Sequence, residues 1–269
     1  MTDYRALRLR DILRCRFKRT NEATTEQVSH RLQFAIANQP DDVTCGPTCL
    51  QAVYEYFGDD VPLEEIIRDV TTFDEGGTLA VMLGCHALRR GYNAVIYTFN
   101  LQVFDPTWFH DSESRVDLSE RIAAQMAVKD DPKLRTASAH YLEYLSLGGI
   151  IRMEDLTTGL IRKYLKRDIP VLAGLSSTYL YQESRETAAD GKSDDLRGEP
   201  AGHFVVMCGY DQVERNVLIA DPYLANPISG TSHYSVDLDR AMCSILLGIV
   251  TYDANLLIIR PGDRFKATQ

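Results

Sequence analysis

An α+β fold, with helices packed on an antiparallel sheet, is predicted by three features of the 269-residue sequence. Apolar residues recur with helical spacing through most of the first 166 positions. Beyond them, short β-branched or continuously apolar runs dominate, each punctuated by turn residues. Within the first of these regimes lies one strand-to-helix junction, at Cys45-Gly46-Pro47, where the signal for chemistry is densest.

The elements follow in order. Arg31 to Ala37, RLQFAIA, reads as a strand. From Gly46 the residues Leu50, Val53, Tyr54 and Phe57 fall at i, i+3, i+4 and i+7, so a helix runs to a stop at Gly58. Leu63, Ile66, Ile67 and Val70 give a second helix over 62–70, and a third covers 79–90, entered through Thr78 and closed by Gly91. A strand, YNAVIYTF, starts at Tyr92. Leu118 to Leu147 reads as two helices parted near Asp131 and Pro132, and Met153 to Lys166 as another. PVLAGL from Pro170, HFVVMCGY from His203, NVLIAD from Asn216 and LLIIR from Leu256 are strands, with a tight turn near Asp211 to Arg215 pairing two of them antiparallel. No internal repeat interrupts this order. A single domain over 31–265 is expected, with a helical insertion at about 101–149 and a basic arm or helix over 1–30.

Composition narrows the function. Hydrophobic residues make up 45% and charged residues 25%, which excludes disorder. A net charge of -9 argues against a general nucleic-acid binder, because phosphate neutralisation needs a basic face. Residues 1–20 are a local exception, with seven Arg or Lys against two Asp. No apolar stretch approaches a membrane span, and six cysteines without paired metal spacing fit a reducing, cytoplasmic setting. No metal or cofactor is expected. His86 shares an apolar stripe with Leu79, Met82 and Leu83 and reads as a satisfied core histidine. Gly76-Gly77-Thr78 reads as a turn and N-cap rather than an anion site.

The chemistry concentrates at Cys45. Pro47 is favoured in a first helical turn, which places Cys45 at a helix start, where unpaired N–H groups and the positive end of the dipole favour a thiolate. Cys49 shares the buried stripe and is structural. A cysteine nucleophile needs a base, and the base an orienting partner. His203 begins one strand and Asp221 ends the next, so an antiparallel hairpin sets them side by side. Gln39, six residues before Cys45, is a candidate oxyanion donor beside the Cys45 backbone N–H.

These residues, Q-x5-C-G-P-x-C-L followed by G-H-F-V-V and A-D-P, resemble the papain-fold cysteine peptidases that cleave double-glycine leaders from bacteriocin precursors, especially their stand-alone bacterial relatives. The resemblance spans about Leu32 to Arg260. It implies a papain-like fold whose central helix starts at the nucleophile and packs on the sheet carrying the base. It also implies Cys45 as nucleophile, His203 as base, Asp221 as orienter and Gln39 as oxyanion donor, acting on a peptide or protein substrate. The expected activity is hydrolysis of a peptide, isopeptide or related amide. An acyltransferase or transpeptidase using the same acyl-enzyme and a catalytically silent peptide-binding module are the alternatives. The polar segment 182–200, just before His203, is expected to be a mobile loop at the cleft rim, as a lid or as an inert surface loop.

Overall fold

The computed structural model describes residues 29–73, 77–109, 117–187 and 191–262. The expected basic arm thus lies outside the described residues except for its last two positions. Eight strands are β1 (Ser29–Arg31), β2 (Tyr92–Thr98), β3 (Ile150–Arg152), β4 (Val171–Ser176), β5 (Gly202–Asp211), β6 (Asn216–Ala220), β7 (His233–Asp237) and β8 (Asn255–Pro261). Eight helices are α1 (Cys45–Tyr56), α2 (Leu63–Asp69), α3 (Ala80–Arg89), α4 (Leu118–Val128), α5 (Pro132–Ser146), α6 (Thr158–Leu165), α7 (Ser177–Tyr181) and α8 (Leu238–Leu247).

The strands form one sheet in the order β3-β2-β8-β4-β5-β6-β7, with β1 added to β5 beyond the reach of β4. Every pairing is antiparallel except β2 with β3. The central strands are buried along nearly their whole length, which explains why their sequences are continuous apolar runs rather than alternating ones. The expected α+β architecture, with a central helix opening at Cys45 and packed on an antiparallel sheet, is the one observed.

Helix α1 lies against β5, and Gly46 lets it come close. A Cβ at that position would stand 3.2 Å from Phe204 Cδ2 and 3.3 Å from Leu83 Cδ1, tighter than ordinary contact. Cys49 is fully buried in the same interface, its Sγ–H donating to the Phe204 carbonyl at 3.3 Å. The nucleophile candidate and the strand carrying His203 are therefore fixed to each other by packing one turn in from the helix start.

Several boundaries differ from the sequence expectation. Arg31 to Ala37 is mostly extended chain outside the sheet: β1 stops at Arg31, and a last bond, Leu32 N–H to Cys208 O at 2.8 Å, precedes the departure toward the cleft. The helix expected from Met153 begins only at Thr158, because Thr157 accepts from Leu160 N–H at 3.2 Å and so caps the helix there. Strands β3 and β7 and helices α7 and α8 carry no long periodic run and were not foreseen. The segment 101–149 holds the expected pair α4 and α5, joined at the Asp131 N-cap and Pro132. Helix α5 packs on α3 and β3, and α4 packs on α5.

Segment 182–200 is laced by its own backbone: Glu186 and Glu199 exchange both N–H···O bonds, at 3.1 and 2.8 Å, and Asp194 N–H donates to Arg185 O at 2.8 Å. The Asp194 carboxylate accepts from the Leu196 and Arg197 N–H groups. Polar bonding replaces the apolar core that this stretch lacks. Positions 188–190 of the segment lie outside the described residues.

Candidate active site

The hairpin β5–β6 turns at Asp211 to Arg215, where Asp211 Oδ1 accepts from the Val213 and Glu214 N–H groups and Arg215 adopts φ 54°. The pairing runs from Asp211↔Asn216 to Val206↔Ala220, with a bulge at Cys208. One residue past β6, Asp221 is carried alongside the start of β5. His203 Nε2 donates to Asp221 Oδ1 at 2.9 Å. Cys45, at the N-terminus of α1, lines the same cavity as the imidazole. The structure thus brings together Cys45, His203 and Asp221 from three separate elements.

Asp221 is wholly buried and richly bonded. Its Oδ2 accepts from Tyr181 O–H at 2.7 Å and Tyr234 O–H at 2.5 Å, and its Oδ1 accepts also from Tyr223 N–H at 2.9 Å. Burial opposes the ionised carboxylate, but the His203 imidazolium and the two phenols outweigh it and hold the group below the usual range. Burial pushes the Tyr181 and Tyr234 hydroxyls far up, and the Asp221 charge pushes them further, so both remain donors. For His203, burial disfavours the charged ring. Its neighbours Cys45 and Asp221 reverse that and raise the group to about 10.

Around this core stand aromatic rings. Tyr181 and Tyr223 lie 6.0 and 6.4 Å from the His203 ring centroid and shield the imidazole from solvent. Sequence reading did not assign Tyr181 or Tyr234. Tyr234 alternates with buried Val236 along β7, a period-2 signal too short to stand out. Tyr181 ends the one-turn helix α7, which has no sequence signature of its own.

Gln39 lines the neighbouring depression with Asp42 and Tyr223 rather than the cavity of Cys45 and His203, and its amide is partly engaged. The backbone N–H of Gln39 donates to Pro222 O at 2.9 Å, which ties the segment to the turn after Asp221. One side-chain N–H donates to Asp41 O at 2.8 Å, while Oε1 is buried without a partner among the described residues. His86 is a satisfied core residue, its Nδ1 bonded to Tyr54 O–H at 2.8 Å. Thr78 does not cap α3. Its hydroxyl is buried and unpartnered among the described residues, and the α3 N-terminus is capped instead by Asp253, whose Oδ2 accepts Ala80 N–H at 2.7 Å. Gly76 lies outside the described residues.

A cavity of about 320 Å³ opens beside Cys45 and His203, walled by Leu79, Leu175, Phe204 and Tyr252. Glu199 and Pro200 bring segment 182–200 to its rim, and Lys133 brings α5 there. A shallower depression on the other side of Asp42 is lined by Gln39, Tyr223 and Leu224. Asp42 borders both. Among the described residues no group of side chains is arranged to hold a metal, and no helix is long and apolar enough to cross a membrane.

A helix-borne cysteine and a strand-borne histidine lining one cavity is the arrangement of a cysteine peptidase-like protein. A family model described as the Peptidase_C39 like family matches residues 31–237, and the chain belongs to that family. Comparison with curated proteins finds no match. Among solved structures, a C39-like peptidase from Bacillus anthracis is similar at 14% identity and a TM-score of 0.43, covering 86% of this chain and 97% of that one. A double glycine motif protease from an AMS/PCAT transporter, in complex with the leader peptide, is similar at 14% identity and a TM-score of 0.41, covering 86% and 94%. Xylellain, a cysteine protease from Xylella fastidiosa, is similar at 16% identity and a TM-score of 0.39, covering 86% and 85%.

Proposed function

We propose that this protein is a cysteine hydrolase that cleaves a peptide, isopeptide or related amide bond through an acyl-enzyme on Cys45. The observation that carries the reading is the shared cavity of Cys45 and His203, with the imidazole bonded to Asp221 and Asp221 bonded in turn to two phenols. A structural cysteine needs no imidazole, and a peptide-binding module gains nothing from an ionised carboxylate buried behind one.

Cys45 attacks the substrate carbonyl as the thiolate, and the C–N bond gives way to a C–S bond. The negative oxygen of the tetrahedral intermediate is met by the Cys45 backbone N–H, which has no intrahelical partner in the first turn, and by the second N–H of Gln39. The His203 imidazolium gives its proton to the leaving amine. Neutral His203 then takes a proton from water as the hydroxide adds to the thioester, and collapse releases the carboxylic acid and the thiol. Asp221 holds the ring orientation and stabilises its charge in both halves. A soluble, cytoplasmic setting suits a thiol enzyme of this kind.

Mass spectrometry of the protein mixed with a peptide library tests the reading. A transient adduct on Cys45 and hydrolysed products are expected, both absent in Cys45→Ala. Asp221→Ala should lose less turnover than His203→Ala, since an orienter contributes less than the proton carrier. Products joined to an added amine would instead establish the acyltransferase, and no adduct at all the silent module.

A further inference from the structure

The cavity beside Cys45 has a chemical polarity that the reaction itself does not require. Its lining mixes apolar residues, among them Phe73, Leu79, Leu175 and Phe204, with polar ones, and one of these is a nearly buried carboxylate, Asp253. Asp253 is 6% exposed and sits under Gly174, where a Cβ would come within 2.7 Å of its Cγ. Exposed Asp42 and Glu199 stand at the mouth, against the single ammonium of Lys133 among the described lining residues.

We propose that this cavity is a specificity pocket for a long cationic side chain, Arg or Lys, of the peptide substrate, with Asp253 as its terminal partner. The proposal deepens the hydrolase reading and rests on it for the identity of the occupant as a substrate residue. Asp253 Oδ2 accepts from Ala80 N–H and Oδ1 from Asn255 Nδ2, one bond to each oxygen. A carboxylate has about four acceptor positions, so each oxygen retains one for an incoming donor. The hydroxyl of Thr78, buried and unpartnered among the described residues, lines the same cavity and is a further acceptor for a guanidinium or ammonium.

Capping α3 does not by itself account for Asp253. A neutral Ser, Thr or Asn caps a helix about as well as Asp and avoids placing a charge in a dry interior. Burial pushes Asp253 up to about 7, against the hydrogen bonds from Asn255 and Ala80, so the ionised form is poorly compensated by the protein alone. A cation delivered on a long apolar stem supplies what is missing. The stem lies along Leu79 and Phe204, while the head reaches the carboxylate. Glycine next to the scissile bond would leave about 320 Å³ unfilled, so this pocket departs from a double-glycine preference.

Two parallel measurements test the proposal. Internally quenched peptides that differ at one position at a time, with Arg, Lys, norleucine, Gln, Glu or Gly, give kcat/KM for the wild-type protein. Peptidyl chloromethyl ketones carrying Arg or norleucine give the rate of Cys45 alkylation, which needs the pocket and the thiol but no hydrolysis. At one position Arg or Lys is expected to exceed norleucine at least tenfold in both. The Arg-to-norleucine ratio should collapse toward one in Asp253→Asn and fall by a smaller factor in the surface variant Asp42→Asn/Glu199→Gln, whose folding is not at stake. Equal rates for Arg and norleucine at every position, or a preference for Glu or Gly, overturn the pocket while leaving the hydrolase intact. Arg-selective alkylation without any cleavage overturns the hydrolase and leaves the pocket standing.

Discussion

Tyr234 donates its hydroxyl proton to Asp221 at 2.5 Å from the far side of the carboxylate that meets His203. Together with Tyr181 it makes the orientation of His203 depend on β7 and α7, elements that touch neither the thiol nor the groove floor. Removing either phenol as Tyr→Phe keeps the ring and deletes one bond to a buried charge. A loss of about 1.5–3 kcal/mol in urea unfolding is expected for each, with turnover reduced less than in Asp221→Ala. Unchanged stability in both variants would show that the carboxylate is satisfied without them.

Alkylation ranks the thiols. Burial raises Cys49 strongly and pushes Cys85 and Cys208 up to about 12, which leaves almost no thiolate on them near neutrality. If Cys45 is the nucleophile, iodoacetamide at mildly acidic pH modifies it ahead of these buried thiols and ahead of exposed Cys243. Peptide mapping after short exposure reads the order. Simultaneous modification of Cys45 and Cys243 at pH 5.5 would count against an activated nucleophile.

The pH dependence of stability has a defined sign on each side. His203 is raised from 6.5 to about 10, so the stability its charged form contributes is complete below about 6.5 and is lost as the pH rises toward 10. Asp221 is lowered from 3.8, so its contribution is complete above 3.8 and is lost on further acidification. Denaturation midpoints should therefore decline between about pH 7 and 10, and His203→Gln should flatten that decline. A wild-type curve that stays level to pH 10 would falsify the charged pairing.

Gln39→Ala removes one side-chain amide while leaving the Cys45 N–H in place. A fall in kcat of roughly two to three orders of magnitude is expected, with little change in the alkylation rate of Cys45, because the oxyanion exists only during acyl transfer. If alkylation collapses in parallel, the bond from Gln39 to Asp41 supports the approach to α1 instead.

How much of this was legible in the sequence depends on the distance over which each signal acts. The neighbourhood of His203 and Asp221 was readable because one begins and the other follows a strand with a strong local pattern, and a hairpin of short turn joins the two strands. Asp253 was not, since its role comes from a bond to Ala80 across 173 positions. Thr78 looked like a cap because capping residues are recognised by type and position, whereas the actual acceptor arrives from another segment. The tyrosines behind Asp221 escaped for the same reason. In segment 182–200, composition spoke against order, but short Asp-centred turns and backbone pairing supply polar bonds that a hydrophobicity argument does not weigh.

The place where β1 joins the sheet sets a tether point. Ser29 pairs with Asp211, at the end of β5 opposite His203, so whatever precedes Ser29 enters the described body on the order of 25 Å from the thiol, at about 3.4 Å per strand residue. A fusion partner, an affinity handle or a docking protein attached there leaves the groove open to long polypeptides. The molecule can be anchored by one end of its longest strand while it works at the other.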